Sequence, residues 1–286
     1  MNVMNMVTPP PDLAAISALQ SKLVSALRPV LPEHALLWEP EDTIPYECDG
    51  LAAYRRMPLA VALPETEEQV AQILKICFAM EIPVVPRGSG TGLSGGAMPL
   101  SQGLVLSLAK LKKILSIDPF TRTAVVQPGV RNLAISEAVS HLGLYYAPDP
   151  SSQIACSIGG NVNENSGGVH CLKYGLTLHN VLRVRGVLMN GEIVEFGSLA
   201  PDSPGLDLLA IMMGSEGMLA VVTEVTVKLV AKPKLARVIM ASFDDIEKGG
   251  NAVAAIIAAG IIPAGLEMMD KATTRAVEEF VHAGYD

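Results

Sequence analysis

Apolar residues at three- and four-residue steps open the readable pattern. Leu13, Ile16, Leu19, Leu23 and Leu27 share one face of a helix that Asp12 can cap and Pro29 stops. A stretch rich in Pro, Glu and Asp follows (Pro32, Pro40, Asp42, Pro45, Asp49) and reads as a surface crossing. From Leu59 the texture becomes that of buried strands. Residues 59–63 predict a strand ended by Pro64, and Thr66 with Gln69 has the spacing of a capping box that starts a helix. Val70, Ile73, Leu74, Cys77 and Phe78 form its apolar face, and residues 82–85 predict a second strand that closes a β-α-β unit. Further strands are expected over 104–108, 114–117 and 123–127, with Asp118-Pro119 as turn punctuation. A helix over 133–142 would be capped by Asn132 and ended by Gly143, at the position where glycine is favoured. Runs 181–189 and 192–196 flank Asn190-Gly191, a strong hairpin signal, and 219–230 alternates as a long strand. The fold class is therefore α+β and not a regular β-α repeat. After Lys232-Pro233 a strand (238–243), an Ala-rich helix (245–259), a strand (264–268) and a helix opened by Asp270 restart the pattern. These four elements are too few for a normal independent domain, and the unit reads as cut off at Asp286.

Composition narrows the class. A length of 286 residues suggests two domains, and half of them are hydrophobic, which excludes general disorder. The balance of 21 basic and 29 acidic residues, net −8, argues against nucleic acid, whose phosphates call for Lys and Arg. Cys48, Cys77, Cys156 and Cys171 show no close pair and no metal-ligand spacing, as fits a reduced, cytosolic chain. The longest wholly apolar stretch, 252–262, falls well short of the ~20 residues that span a bilayer. Residues 1–12 carry no basic residue before an apolar run, so no secretory signal is read there. A soluble protein is expected.

The candidate chemistry sits in glycine clusters. Pro86-Arg-Gly-Ser-Gly-Thr-Gly-Leu-Ser-Gly-Gly96 can bring backbone amides close to an anion. Gly90 to Gly95 satisfies Gly-x-Gly-x-x-Gly, but Pro99 and Gly103 stand where the helix of a Rossmann unit should run. A diphosphate cradle and a structural turn both remain open from this loop alone. A second segment, from Tyr146-Ala-Pro-Asp-Pro-Ser-Ser152 through Ser157-Ile-Gly-Gly160 and Asn161-Val-Asn-Glu-Asn-Ser-Gly-Gly168 to Lys173-Tyr-Gly175, reads as more than twenty residues without regular structure. Third comes Gly214-Ser-Glu-Gly217, a tight turn feeding the strand at 219–224. The remaining single residues take plain readings. His34, His141, His179 and His282 have no acidic partner at metal-ligand spacing, Arg183 and Arg185 read as a solvated strand face, and the methionines read as core filler.

In this order the three motifs resemble the PCMH-type, or vanillyl-alcohol-oxidase-type, FAD-binding domain. The likeness covers about Arg55 to Asp286 and is nearest to the group of glycolate oxidase FAD-linked subunits and D-lactate and D-2-hydroxyglutarate dehydrogenases. It implies a two-subdomain FAD-binding domain over 55–233, preceded by an N-terminal helix and crossing segment (1–54) and followed by the start of a truncated cap, or substrate, domain (234–286). It also implies site residues: Pro86, Arg87, Gly88, Ser89, Gly90, Thr91 and Gly92 around the FAD diphosphate. Pro148, Asp149, Ser157, Gly160, Asn163 and Gly167 would line the adenosine and flavin ends, with Glu216, Gly217, Val222 and Thr223 touching the cofactor from the last strand. FAD is expected to bind without covalent attachment, His170 and Cys171 notwithstanding, and no metal is implied. The implied activity is oxidation of a small 2-hydroxy acid (glycolate, or D-lactate) to the 2-oxo acid. Electrons would pass to separate iron–sulfur and second flavin-type subunits, through which the cytoplasmic protein could sit at the inner membrane. Catalytic residues are expected beyond Asp286. The rival readings are a non-catalytic FAD-binding module and a nicotinamide-dependent reductase on the same fold.

Overall fold

A computed structural model describes residues 13–200 and 205–285. The helix Leu13–Leu27 buries Leu23, Val24 and Leu27, while Leu13 at its start is exposed. Asp12, its expected cap, lies outside the described residues. The capping box at Thr66 is formed: Thr66 Oγ1 accepts from the Gln69 amide and Gln69 Oε1 accepts from the Thr66 amide. From it runs the helix Glu67–Ala79, which buries Val70, Ala71, Ile73, Leu74 and Cys77. Phe78 departs from the expected face and is 59% exposed, because it stands one helical step past Cys77, at the edge of the stripe.

The two helices cover a four-stranded sheet of β1 (Leu36–Leu37), β2 (Ala60–Ala62), β3 (Val84–Arg87) and β4 (Leu104–Ser107), in the order β1-β2-β4-β3. The β-α-β unit is thus opened by β4, which lies parallel to both β2 and β3 and between them. Leu31, Ala35 and Leu36 belong to the same core as β2 and β4, so the N-terminal stretch is built into this layer and does not merely cross it.

The second layer is an antiparallel sheet of β5 (Ile114–Asp118), β6 (Thr123–Val126), β8 (Val181–Val187), β9 (Ile193–Gly197) and β10 (Val221–Lys228), in the order β5-β6-β10-β8-β9. The Asn190-Gly191 hairpin joins β8 to β9, with Gly191 at φ +80°. A small pair, β7 (Leu144–Tyr145) with β11 (Val230–Ala231), closes the far end. Strand β10 is buried over most of its length because it faces a core on each side. Val222, Val225 and Val227 join the second core, whereas Val221 joins the first. Between the layers Glu67 binds the Arg185 guanidinium through both carboxylate oxygens (3.0 and 3.1 Å from Nε) and accepts from Thr223 Oγ1 at 2.6 Å. Arg183 pairs with Glu224 and Arg185 also with Glu195. The two arginines are therefore partners in an ion-pair network and not a free solvated face.

Other expectations are corrected. The helix after β6 runs Asn132–Val139, continued by a 3₁₀ turn Ser140–Leu142, and its cap is Arg131. Asn132 is buried inside it, since loop carbonyls already serve the first amides (Asn132 to Cys156, Leu133 to Gln153). Gly143 does end the segment in the left-handed region. Beyond β11 the helices Ile246–Ala258 and Lys271–Val281 form, capped by Asp245 and Asp270. Residues 238–243 and 264–268 are not strands. Their apolar side chains include Val238 at 94% and Ile239 at 93% exposure, and a strand requires a partner ladder to satisfy its backbone. Methionine fills the core only in part: Met212 and Met213 are buried, whereas Met218 and Met240 are exposed.

Candidate cofactor-binding groove

Three separate segments meet along one groove of about 190 Å³. One wall is the loop that leaves β3, with Pro86, Gly88, Ser89, Gly90, Thr91 and Gly92 on the surface. Gly90 sits at φ +69°, a backbone that only glycine holds without strain, and a Cβ there would run into the Arg87 guanidinium. Arg87 itself lies beneath the loop, buried, its Nη1 donating to the carbonyls of Cys48 (2.7 Å) and Ala97 (3.3 Å) over the Tyr46 ring. Burial lowers its pKa, and the charge is retained beside Cys48 and Asp49. It shapes the loop from behind.

The opposite wall is the helix Ile158–Glu164 with the segment before it. Ser157 stands at the helix cap position without bonding its own helix; its Oγ accepts from the Ser89 amide at 3.3 Å and so ties wall to loop. That helix was expected as irregular chain, because Gly159 and Gly160 in its first turn hide the helical signal. Gly160, Asn161, Asn163, Glu164 and Ser166 face the groove, as do Ser152 and Cys156. The third component is the turn before β10. Its Gly214 and Glu216 amides donate to Val162 and Asn163 carbonyls, both at 2.9 Å, so the turn rides on the helix and presents Glu216 to the groove. Glu216 pays for this with φ +55°. Gly217, at φ +74°, lets Pro86 close against it.

Of the residues expected from sequence, then, Pro86, Gly88 to Gly92, Ser157, Gly160, Asn163 and Glu216 come together. Arg87 lies beneath the loop and Gly217 packs on Pro86, while the others do not line the groove. Pro148 accepts from Asn132 Nδ2, and Asp149 holds His170 through the imidazole Nδ1 (2.5 Å) and the amide (3.2 Å). Gly167 packs on Cys171 and Leu176, Val222 is fully buried, and the Thr223 hydroxyl is bound to Glu67. Sequence reasoning missed Asn161 and Glu164. Both lie within the Asn-rich stretch, but only a helical spacing places them on a groove face.

The groove is rich in polar atoms that the protein leaves open. The amides of Gly90, Thr91 and Gly92 find no acceptor among the described residues. Asn161 is 2% exposed, and neither its Nδ2 nor the Oδ1 of Asn163 has a partner. Glu164 is pushed up to about 7 by partial desolvation, then by Glu216 and Asp49. Free donors against glycine walls fit an anionic, elongated ligand. The volume is below the roughly 300–1,000 Å³ of sites that enclose a drug-sized molecule, so the groove itself has room for only a segment of a larger ligand.

Residues 58–197 match the model of the FAD binding domain, and residues 232–286 match that of the FAD linked oxidases, C-terminal domain. The chain belongs to the FAD-linked oxidases. Among curated members of this group it is 61% identical over 266 residues to "Glycolate oxidase subunit GlcD" of Escherichia coli K12, covering 93% of this chain and 53% of that protein. It is 45% identical over 240 residues to the subunit of the same name from Bacillus subtilis, covering 84% and 51%. A D-lactate dehydrogenase of Anaerostipes hadrus is 33% identical over 262 residues, covering 91% and 55%. The chain thus spans about half the length of the curated relatives it matches. In fold it resembles a solved alkyldihydroxyacetonephosphate synthase, with TM-score 0.74 at 20% identity, over 93% of this chain and 49% of that one. Among the described residues of the chain no helix is long and apolar enough to cross a membrane.

Proposed function

We propose that the groove holds the diphosphate of a non-covalently bound FAD, and that the protein serves the oxidation of a small 2-hydroxy acid, glycolate or D-lactate, to the 2-oxo acid. The observation that carries the reading is the set of unpartnered amides at Gly90, Thr91 and Gly92, on residues that line the same groove as Asn161 and Gly160. Those amides would hold phosphate oxygens, as consecutive backbone N–H groups do in anion-binding turns. Asn161 would supply a further donor. Ser157, bonded to Ser89, would keep the two walls at fixed separation, and Arg87 would hold the loop in shape from beneath. When bound, the flavin supplies a hydride acceptor for the α-carbon of the acid. In the same reading His170 is engaged by Asp149 and forms no bond to the cofactor. Electrons would leave through partner subunits that carry iron–sulfur clusters and a second flavin, and contact with those subunits would bring the protein to the inner membrane.

The test is direct. Protein purified from cells should show flavin absorbance, and acid precipitation should release the flavin to the supernatant; colour held in the pellet would overturn non-covalent binding. Anaerobic addition of glycolate, then D-lactate, reads the substrate by bleaching of the bound flavin. A flavin that neither acid bleaches, in this chain or in one extended to the length of its relatives, would overturn the 2-hydroxy-acid assignment.

A further inference from the structure

Two carboxylates converge in the groove from different walls. Glu164, from the helix, and Glu216, from the turn, flank one point over Gly96: a Cβ added there would stand 3.2 Å from Glu164 Oε1 and 2.7 Å from Glu216 Oε2. The charged groups that face Glu164 are both acidic, Glu216 and Asp49. Arg87, which faces Asp49, gives its Nη1 to the Cys48 and Ala97 carbonyls. Asp49 is only 7% exposed and its Oδ2 has no hydrogen-bond partner. Across the groove the buried Asn161 Nδ2 also lacks a partner, so the groove pairs an open donor with a cluster of acidic side chains.

We propose that Glu164 holds a proton beside the Glu216 carboxylate, and that FAD binding in this groove takes that proton up from solvent. The inference rests on the cofactor reading above and adds its regulation by pH. Two carboxylates so placed cannot both ionise cheaply, and a diphosphate bearing two negative charges makes the second ionisation costlier still. In the ligand-free groove Glu164 already reaches about 7. The bound state must lie higher, because the ligand adds negative charge nearby. The sign follows: below about 7 the proton is in place and affinity is flat, while above it each binding event must carry a proton in. Linkage of one proton then raises the Kd by up to about tenfold per pH unit, until the pKa of the bound state is passed.

The experiment is FAD titration by flavin fluorescence across the neutral and mildly alkaline range, with the intact chain and its Glu164→Gln variant. Glutamine imitates the protonated acid, so the variant should bind with a flat profile and, at alkaline pH, more tightly than the parent. Calorimetry of the parent at alkaline pH, in two buffers of different ionisation heat, should find up to one proton taken up per FAD. This measurement stands even where the variant fails to fold. FAD binding by the parent that is independent of pH and takes up no proton overturns the inference and leaves the cofactor reading intact. A pH slope unchanged in a folded Glu164→Gln variant overturns it as well. Absence of FAD binding at every pH overturns the cofactor reading, and this inference with it.

Discussion

Gly90 and Gly143 hold nearly the same left-handed backbone, at φ +69° and +68°. Their surroundings differ. A Cβ at Gly143 meets nothing within 4 Å, whereas one at Gly90 overlaps the guanidinium of Arg87. Replacing either by alanine imposes the left-handed penalty of about 1–2 kcal/mol. Gly143→Ala should cost that and little more. Gly90→Ala must also push Arg87 away from the Cys48 and Ala97 carbonyls, 2.7 and 3.3 Å from its Nη1. A hydrogen bond to a charged group contributes roughly 1.5–3 kcal/mol, so the total should reach about 2.5–5 kcal/mol. Urea unfolding of the two variants without cofactor measures the difference. Thermal melts with FAD at a hundred times its Kd measure the rest, since a bound ligand then adds about 2.7 kcal/mol to the parent. Gly143→Ala should keep that gain and Gly90→Ala should lose it. Equal losses of stability in the two variants, or a full FAD response in Gly90→Ala, would falsify the account of Arg87 as the support of the loop.

Three further outcomes are expected. Thr66→Ala should lower stability by about 0.5–2 kcal/mol through loss of the capping box, read from the urea midpoint, and a change confined to noise would show that the Gln69 contacts to the Glu65 amide and the Val30 carbonyl carry that end alone. Arg185→Met should cost about 1.5–3 kcal/mol by leaving Glu67 with Thr223 alone, and Arg185→Lys should restore only part of it, because an ammonium cannot bind both carboxylate oxygens as a guanidinium does; full restoration in thermal melts would count against the bidentate geometry. Glu164 binds its proton more tightly folded than unfolded, so its contribution is complete at pH below about 4.5 and is lost as pH rises through about 7. The stability of the parent should therefore fall relative to Glu164→Gln across that window and run parallel above it, in urea melts at a series of pH values.

Much of the fold was legible because its signals are local. The Thr66–Gln69 box, the Asn190-Gly191 hairpin, Gly143 and the opening of the last helix by Asp270 each need only a few neighbouring residues to act, and each acts as expected. What failed depends on partners distant in sequence. Asn132 has a good capping side chain, yet the carbonyls of Cys156 and Gln153 reach the helix start first. Residues 238–243 carry an apolar run suited to a strand and have no ladder beside them. Arg183 and Arg185 alternate as a solvated face would, but their carboxylate partners come from β9, β10 and the helix Glu67–Ala79, which no spacing along the chain reveals.

The groove divides along the same line. Glycine loops show where the backbone must come close to a ligand, so the first wall could be read residue by residue from Gly88 to Gly92. The second wall could not, because a helix that begins Ile-Gly-Gly looks like loop until the Ser157 bond to Ser89 and the turn at 214–217 fix it in place. Once that stretch is helical, Asn161 and Glu164 fall on the groove, and a polar segment becomes a donor and a proton site. Val222 and Thr223 show the converse. They continue the motif of the turn along the chain, but a strand alternates its faces, and β10 sends them into the core and toward Glu67. The groove-facing set is therefore decided by which elements touch: Glu216 lies on the groove because its amide is held by Asn163, and six residues later the strand that follows the turn belongs to the interior.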